Sequence, residues 1–151
     1  MQDSTDPPQD TAWAGSVTAP VAPVILAAED DPAFRRLLVS MLEQTGYRVQ
    51  EARNGMEVLD RLGPVEPASG DTPPDLLITD VRMPGLSGLR LLAALRQTGR
   101  TIPVVVITAF GSPETHATAR ALGAAAVFDK PFDLGDLRRE VARQLPTRGR
   151  R

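Results

Sequence analysis

The run Leu76-Leu77-Ile78-Thr79 is short, almost wholly apolar and followed at once by Asp80. Three further runs have the same form and lead to residues that can act on phosphate, namely 24–28 before Glu29-Asp30-Asp31, 104–107 before Thr108, and 124–128 shortly before Lys130. In an open parallel sheet, ligands bind in the crevice beyond the carboxyl ends of the strands. If these runs are parallel strands, carboxylates, a hydroxyl and an ammonium converge there, a set that suits Mg²⁺ and a phosphoryl group.

The composition is that of one ordinary domain with a tail. The chain has 151 residues, 42% of them hydrophobic, and a net charge of −2, which gives no overall attraction to nucleic acid or membrane surfaces. It contains no Cys, which excludes disulfides and zinc–thiolate sites. No apolar run approaches the roughly 20 residues of a membrane span, and the N-terminus lacks the features of a signal peptide. We expect a cytoplasmic protein that binds neither membrane nor nucleic acid directly.

The basic residues point to one position. Of the 17 Lys and Arg residues, the only Lys is Lys130, at the end of the last apolar run. An ammonium is a compact point charge, whereas a guanidinium is a planar fork. A chain so biased toward Arg that keeps Lys here indicates a need for the compact group.

Strands and helices alternate from Val24 onward. Strands are predicted at about 24–28, 47–51, 75–79, 103–107 and 124–128, and helices begin after Asp31, near Gly55, near Leu89, after Ser112 and after Asp133. Five βα units with continuous apolar strands predict an α/β fold, a doubly wound five-stranded parallel sheet with helices on both faces. We expect this domain to span 24–145, after a disordered tail at 1–23 and before a basic tail at 146–151.

Four motifs in this order resemble the receiver domain of two-component response regulators, the CheY-like family with a flavodoxin-like fold. They are Glu29-Asp30-Asp31-Pro32, Asp80-Val81-Arg82-Met83-Pro84-Gly85-Leu86-Ser87-Gly88, Ile107-Thr108-Ala109-Phe110-Gly111 and Lys130-Pro131-Phe132. The resemblance implies a phosphorylation switch served by a sensor histidine kinase or a histidine phosphotransfer protein. It also implies that the fourth helix, the fifth strand and the fifth helix contact an unknown downstream protein. Few residues follow Leu145, so we expect a stand-alone receiver.

The same resemblance assigns roles to individual residues. Asp80 is expected to be the phosphoacceptor, Thr108 to hydrogen-bond the phosphoryl group, and Lys130 to pair first with Asp80 and then with the phosphate. The expected Mg²⁺ ligands are Glu29 (through water), Asp30, Asp80 and the backbone carbonyl of Arg82. The Lys130–Pro131 bond is expected to be cis. We expect no enzyme activity beyond the chain's own phosphorylation and dephosphorylation.

Two positions differ from the usual receiver pattern. The first acidic position is Glu29 rather than Asp, and the third position before Lys130 is Val127 rather than Tyr or Phe. A valine is stiff about χ1 and has no ring to bury or expose. We therefore expect Thr108 and the loop 109–112, rather than an aromatic ring, to carry the switch.

Two other functions stay open. A receiver that no longer accepts phosphate could bind partners constitutively. A phosphohydrolase of the haloacid dehalogenase kind also uses an Asp nucleophile with Mg²⁺, Thr and Lys, but it would carry an acidic residue where Arg82 stands. His116, on a predicted surface helix, is expected to be a solvated residue rather than a phosphocarrier.

Overall fold

The computed structural model describes residues 21–64 and 73–145, in which strands and helices alternate. The strands are β1 (Val24–Ala28), β2 (Arg48–Ala52), β3 (Leu76–Asp80), β4 (Val104–Thr108) and β5 (Ala126–Asp129). The helices are α1 (Pro32–Gln44), α2 (Gly55–Leu62), α3 (Gly88–Gln97), α4 (Pro113–Ala121) and α5 (Leu134–Gln144). None of these described helices is both long and apolar enough to span a bilayer. The predicted tails lie outside the described residues, except for 21–23.

The sheet has the order β2-β1-β3-β4-β5, and all neighbouring strands are parallel. The chain moves outward from β1 to β2, returns to the other side of β1 at β3, and continues to β5. The strand order therefore reverses between β1 and β3, which is where open α/β sheets bind ligands. The prediction of a doubly wound five-stranded parallel sheet is confirmed.

The central strands are buried at every position because helices cover both faces of the sheet. Residues of β1, β3 and β4 point alternately to the two faces. Leu26 and Leu77 pack with side chains of α2, α3 and α4. Ile25 and Ile78 pack with side chains of α1 and α5. Burial on both sides explains why these strands are continuous apolar runs rather than alternating ones.

The strand ends differ slightly from the prediction, and the difference bears on the site. β3 and β4 extend one residue further than expected, so that Asp80 pairs with Ile107 and Thr108 pairs with Asp129 in the ladder. The backbones of Asp80 and Thr108 are thus fixed by the sheet. β5 starts at Ala126 rather than at 124, because Ala124 donates its N–H to the carbonyl of Ala119 at 2.9 Å and so belongs to the turn that follows α4.

Side-chain caps set the start of each helix. Oxygen atoms of the residue before the helix accept a backbone N–H in every case, and these residues are Asp31, Asn54, Ser87, Ser112 and Asp133. Because Ser87 caps α3, that helix begins at Gly88, one residue earlier than predicted. A Cβ at position 88 would lie 2.2 Å from the carbonyl oxygen of Asp80. Only glycine lets α3 start this close to the end of β3.

Candidate functional site

Asp80 is the last residue of β3, next to the point where the strand order reverses. Only 5% of its surface is exposed. Its Oδ2 accepts a hydrogen bond from Nζ of Lys130 at 3.1 Å, and its Oδ1 accepts one from the backbone N–H of Arg82 at 3.2 Å. The carboxylate is therefore held in a fixed orientation at the edge of the sheet.

Lys130 follows β5 and brings its ammonium to two carboxylates. Nζ lies 3.0 Å from Oε1 of Glu29 and 3.1 Å from Oδ2 of Asp80, and it also lies 4.5 Å from the centre of the Phe34 ring. The backbone N–H of Lys130 donates to the carbonyl of Thr108 at 2.8 Å. The bond from Lys130 to Pro131 is cis, as the resemblance implied. The chain's one lysine is thus placed in contact with its expected partner, Asp80.

Three carboxylates converge beside this lysine. Glu29, Asp30 and Asp80 each offer one oxygen atom, and these atoms lie within 4.8 Å of one another. We call these three residues and Lys130 the acidic pocket. Asp30 is exposed and borders a cleft of about 440 Å³ together with Arg82. Mg²⁺ takes oxygen ligands and usually keeps several waters, so a cluster of carboxylates beside an open cleft fits this ion.

Both carboxylate oxygens of Glu29 are already in use. Oε1 accepts from Lys130, and Oε2 accepts the backbone N–H of Asp31 at 3.0 Å. The backbone carbonyl of Glu29 accepts from Nη1 of Arg35 at 2.6 Å. Glu29 therefore positions Lys130 and the start of α1, while Asp30 is the carboxylate that faces the cleft.

The ionisation of the acidic pocket follows from its burial. Loss of water around Glu29 raises its pKa from 4.5 to about 7, against the lowering effect of the Asp31 N–H and of Lys130. Burial lowers the pKa of Lys130, but its hydrogen bonds to Glu29 and Asp80 outweigh that effect and leave the pKa above 10.5. The ammonium thus stays charged at any physiological pH, whereas Glu29 titrates near neutrality.

Thr108 lies at the end of β4 with only 1% of its surface exposed. Its Oγ1 accepts the backbone N–H of Phe110 at 3.1 Å, which leaves its own O–H able to donate. Among the described residues, no hydrogen bond joins this hydroxyl to Asp80. The hydroxyl is therefore turned toward the loop that follows β4.

Arg82 and Phe110 form a contact that the sequence analysis did not predict. The guanidinium carbon of Arg82 lies 4.6 Å from the centre of the Phe110 ring, a distance typical of a cation–π contact. Phe110 is 68% exposed. The two residues stand two positions after Asp80 and two positions after Thr108, in different loops. The stack joins the loops that follow β3 and β4.

The prediction that His116 is solvated is wrong, because the side chain is half-buried and paired; that His116 is not a phosphocarrier stays a prediction. His116 lies on α4, and its Nε2 is 2.9 Å and 3.0 Å from the two carboxylate oxygens of Asp129. Its side chain is only 24% exposed. The prediction failed because Asp129 belongs to a different element, and no periodic pattern links the two residues along the chain.

Comparison with known proteins identifies the family to which the chain belongs. The model of the response regulator receiver domain family matches residues 25–142. The chain belongs to this family. The receiver domain is 31% identical over 122 residues to sporulation initiation phosphotransferase F of Bacillus subtilis, covering 81% of this chain and 93% of that protein. The predicted family and its function, phosphorylation-based switching in two-component systems, are confirmed.

Two further relatives differ in how much of them the receiver domain covers. It is 37% identical over 113 residues to the response regulator MprA of Mycobacterium avium, covering 75% of this chain but only 46% of that protein. The solved structure of the chemotaxis protein CheY4 of Vibrio cholerae matches with a TM-score of 0.71 and 28% identity, covering 83% of this chain and 100% of that one. The receiver domain thus spans about half the length of some curated relatives and nearly all of others. A stand-alone receiver stays a prediction.

Proposed function

We propose that Asp80 accepts the phosphoryl group in this receiver domain. The observation that carries the proposal is the contact of Lys130 Nζ with both Asp80 and Glu29, at 3.1 Å and 3.0 Å, at a buried strand end. Phosphoryl transfer needs little covalent help from a protein, so positioning and charge neutralisation carry most of the rate. A fixed carboxylate with an ammonium in contact meets both needs.

In the proposed reaction, a carboxylate oxygen of Asp80 attacks the phosphorus of a phosphohistidine on a sensor histidine kinase or a histidine phosphotransfer protein. A P–O bond forms as the P–N bond breaks, and the electron pair of that bond stays on the histidine nitrogen. The product is an acyl phosphate, an instance of carboxylate nucleophilic catalysis. Attack of water on phosphorus later breaks the P–O bond and restores the carboxylate. In this proposal the chain catalyses only its own phosphorylation and dephosphorylation.

Lys130 and Thr108 stabilise the product in this proposal. The ammonium contacts Asp80 before transfer, so a small movement brings it to a phosphoryl oxygen, where a charge-assisted hydrogen bond is strong. The hydroxyl of Thr108 can donate to another phosphoryl oxygen once it turns from Phe110. That rotation would release the bond that now ties Thr108 to the loop after β4.

Mg²⁺ is the cofactor that the acidic pocket supports. Asp30 and Asp80 are the proposed direct carboxylate ligands, the backbone carbonyl of Arg82 adds a further oxygen, and Glu29 acts through water. When bound, the ion supplies positive charge to the phosphoryl oxygens. Glu29 is expected to contribute least to Mg²⁺ affinity, because both of its carboxylate oxygens already accept hydrogen bonds.

Phosphorylation is proposed to change the surface formed by α4, β5 and α5. This surface would contact a downstream protein in the cytoplasm. Val127 in β5 has no ring to rotate. The residues after β4 would therefore transmit the change. A haloacid dehalogenase-like activity is not favoured, because Arg82 occupies the position of that family's second acidic residue.

One experiment tests Asp80 directly. The full chain is incubated with acetyl phosphate and Mg²⁺, and the intact mass is measured. We expect one added phosphoryl group on the wild type, none on Asp80→Asn, and wild-type labelling of the control Asp60→Asn, which makes the same charge change on the exposed side of α2. Labelling of Asp80→Asn to the wild-type level would contradict the assignment. An unlabelled wild type would favour a receiver that no longer accepts phosphate.

A further inference from the structure

Helix α4 is held to the rest of the domain by few contacts. Ala119 is its only buried residue, and its sequence, Pro-Glu-Thr-His-Ala-Thr-Ala-Arg-Ala, has no large aliphatic side chain to anchor it. Within residues 21–64 and 73–145, the bond from His116 to Asp129 is the only side-chain hydrogen bond between α4 and the sheet. This contact is therefore the specific polar link between α4 and the sheet among the described residues.

The two residues form a bifurcated hydrogen bond that we call the clasp. Nε2 of His116 donates between the two carboxylate oxygens of Asp129, at 2.9 Å and 3.0 Å. Asp129 is the last residue of β5, pairs with Thr108 in the ladder and directly precedes Lys130. His116 thus places one end of the clasp on α4. Asp129 places the other end beside Thr108 in the sheet and next to Lys130 in the chain.

The loop after β4 rests directly on the clasp. A Cβ at Gly111 would lie 2.0 Å from Oδ1 of Asp129, 2.9 Å from Cγ2 of Thr108 and 3.0 Å from Nε2 of His116. The backbone at 111 is therefore in close contact with both clasp residues and with Thr108. Close-packed groups cannot move independently, so a displacement of this loop must displace the clasp.

We infer that the clasp stabilises the unphosphorylated conformation and that its release lets α4 move. The inference rests on the proposed function, in which Thr108 turns toward a phosphoryl group on Asp80 and gives up its bond to Phe110. A shift between two states needs an element with different contacts in each. The clasp supplies such a contact in a chain that has Val127 where an aromatic switch residue would stand. His116 and Asp129 are positioning residues, since neither touches the phosphoacceptor.

Beryllofluoride with Mg²⁺, which mimics an aspartyl phosphate, tests the inference on the full chain. His116→Ala and Asp129→Ala each remove the clasp, and Glu114→Ala is a control on the exposed side of α4. Apparent affinity for the mimic rises when the competent conformation becomes more populated. We expect each clasp variant to bind it about twofold to fivefold more tightly, the range that partly exposed pairs support, and the control to bind it as the wild type does.

The double variant and the free-state spectra complete the test. If the residues act as one contact, the double variant should gain no more than either single variant. Amide shifts of 113–121 in the free variants should move toward those of the mimic-bound wild type. Wild-type affinity with unmoved α4 shifts, or additive effects in the double variant, would overturn the clasp alone. A wild type that binds no beryllofluoride would overturn the proposed function and the clasp with it.

Discussion

The strands β3 and β5 end at the same edge of the sheet but are held very differently. Every residue of β3 is buried, whereas no residue of β5 is, and the helix beside β5, α4, buries only Ala119. Regions with few buried apolar contacts open at lower free energy than a packed core does. The proposed phosphoacceptor, Asp80, thus stands on the firmly packed part of the domain. The proposed response belongs to the part that can move at low cost.

The largest expected effect concerns the side chain that joins the two regions. Lys130 follows β5 but contacts Asp80 at the end of β3, so Lys130→Met should slow labelling by acetyl phosphate about a hundredfold, the usual loss when one charge-stabilising donor is removed. Lys130→Arg should restore little, because a planar fork does not replace a compact ammonium. The rate is measured by intact mass over time.

The matched control for this change is Arg138→Lys on the exposed side of α5, which exchanges the same two groups away from the acidic pocket. It should label at the wild-type rate. Wild-type labelling of Lys130→Arg would show that a guanidinium serves there as well as an ammonium.

A smaller effect is expected when the losses of folding stability caused by one substitution in β4 and one in β5 are compared. Val106 in β4 and Val127 in β5 are directly paired, yet only Val106 is fully buried. Val106→Ala should lower the free energy of unfolding by about 2 kcal/mol and Val127→Ala by about 1 kcal/mol, because the cost follows the buried methyl groups and the cavity they leave. Urea unfolding measures both. Equal losses would show that β5 is packed as firmly as β4.

The smallest effect is a dependence of stability on pH at the packed edge. The pKa of Glu29 is about 7 in the folded chain and 4.5 in its ordinary state. The folded state therefore binds more protons between these values, so the stability that Glu29 contributes is present below pH 4.5 and lost as pH rises through about 7. In EDTA, the free energy of unfolding should therefore fall as the pH rises from 5 to 8.

Glu29→Gln should flatten this dependence, and the exposed Glu114→Gln should leave it intact. The same variant addresses the metal: Mg²⁺ titration followed by NMR should show a smaller loss of affinity for Glu29→Gln than for Asp30→Asn. A steep pH dependence that survives in Glu29→Gln would assign the titration to another group.

Much of the packed region could be predicted from the sequence. Continuous apolar runs are what strands buried on both faces require, and each run ends on its functional residue, so sheet topology alone brings Glu29, Asp80 and Thr108 to one edge. The pairing of Lys130 with Asp80 followed from the resemblance. Strand ends were off by one, because ladder hydrogen bonds continue through Asp80 and Thr108 and leave no mark in residue type.

The loose region was harder to predict for a physical reason. Its contacts join side chains from different elements, as in His116 with Asp129 and Arg82 with Phe110. Such pairs follow from the angle and height at which an element packs, which no periodicity encodes. The start of β5 was misplaced because Ala124 is as apolar as a strand residue but is bonded to the end of α4.

The presence of a single lysine in the chain gives it a built-in spectroscopic reporter. Lysine labelled with ¹⁵N at Nζ, supplied during expression, would yield one side-chain ammonium resonance, and that resonance would come from Lys130. Its frequency and its exchange with solvent protons would follow the change of partner from carboxylate to phosphoryl oxygen. Occupancy of the site could thus be read in unpurified mixtures with a kinase, without a mutation, a dye or a tag.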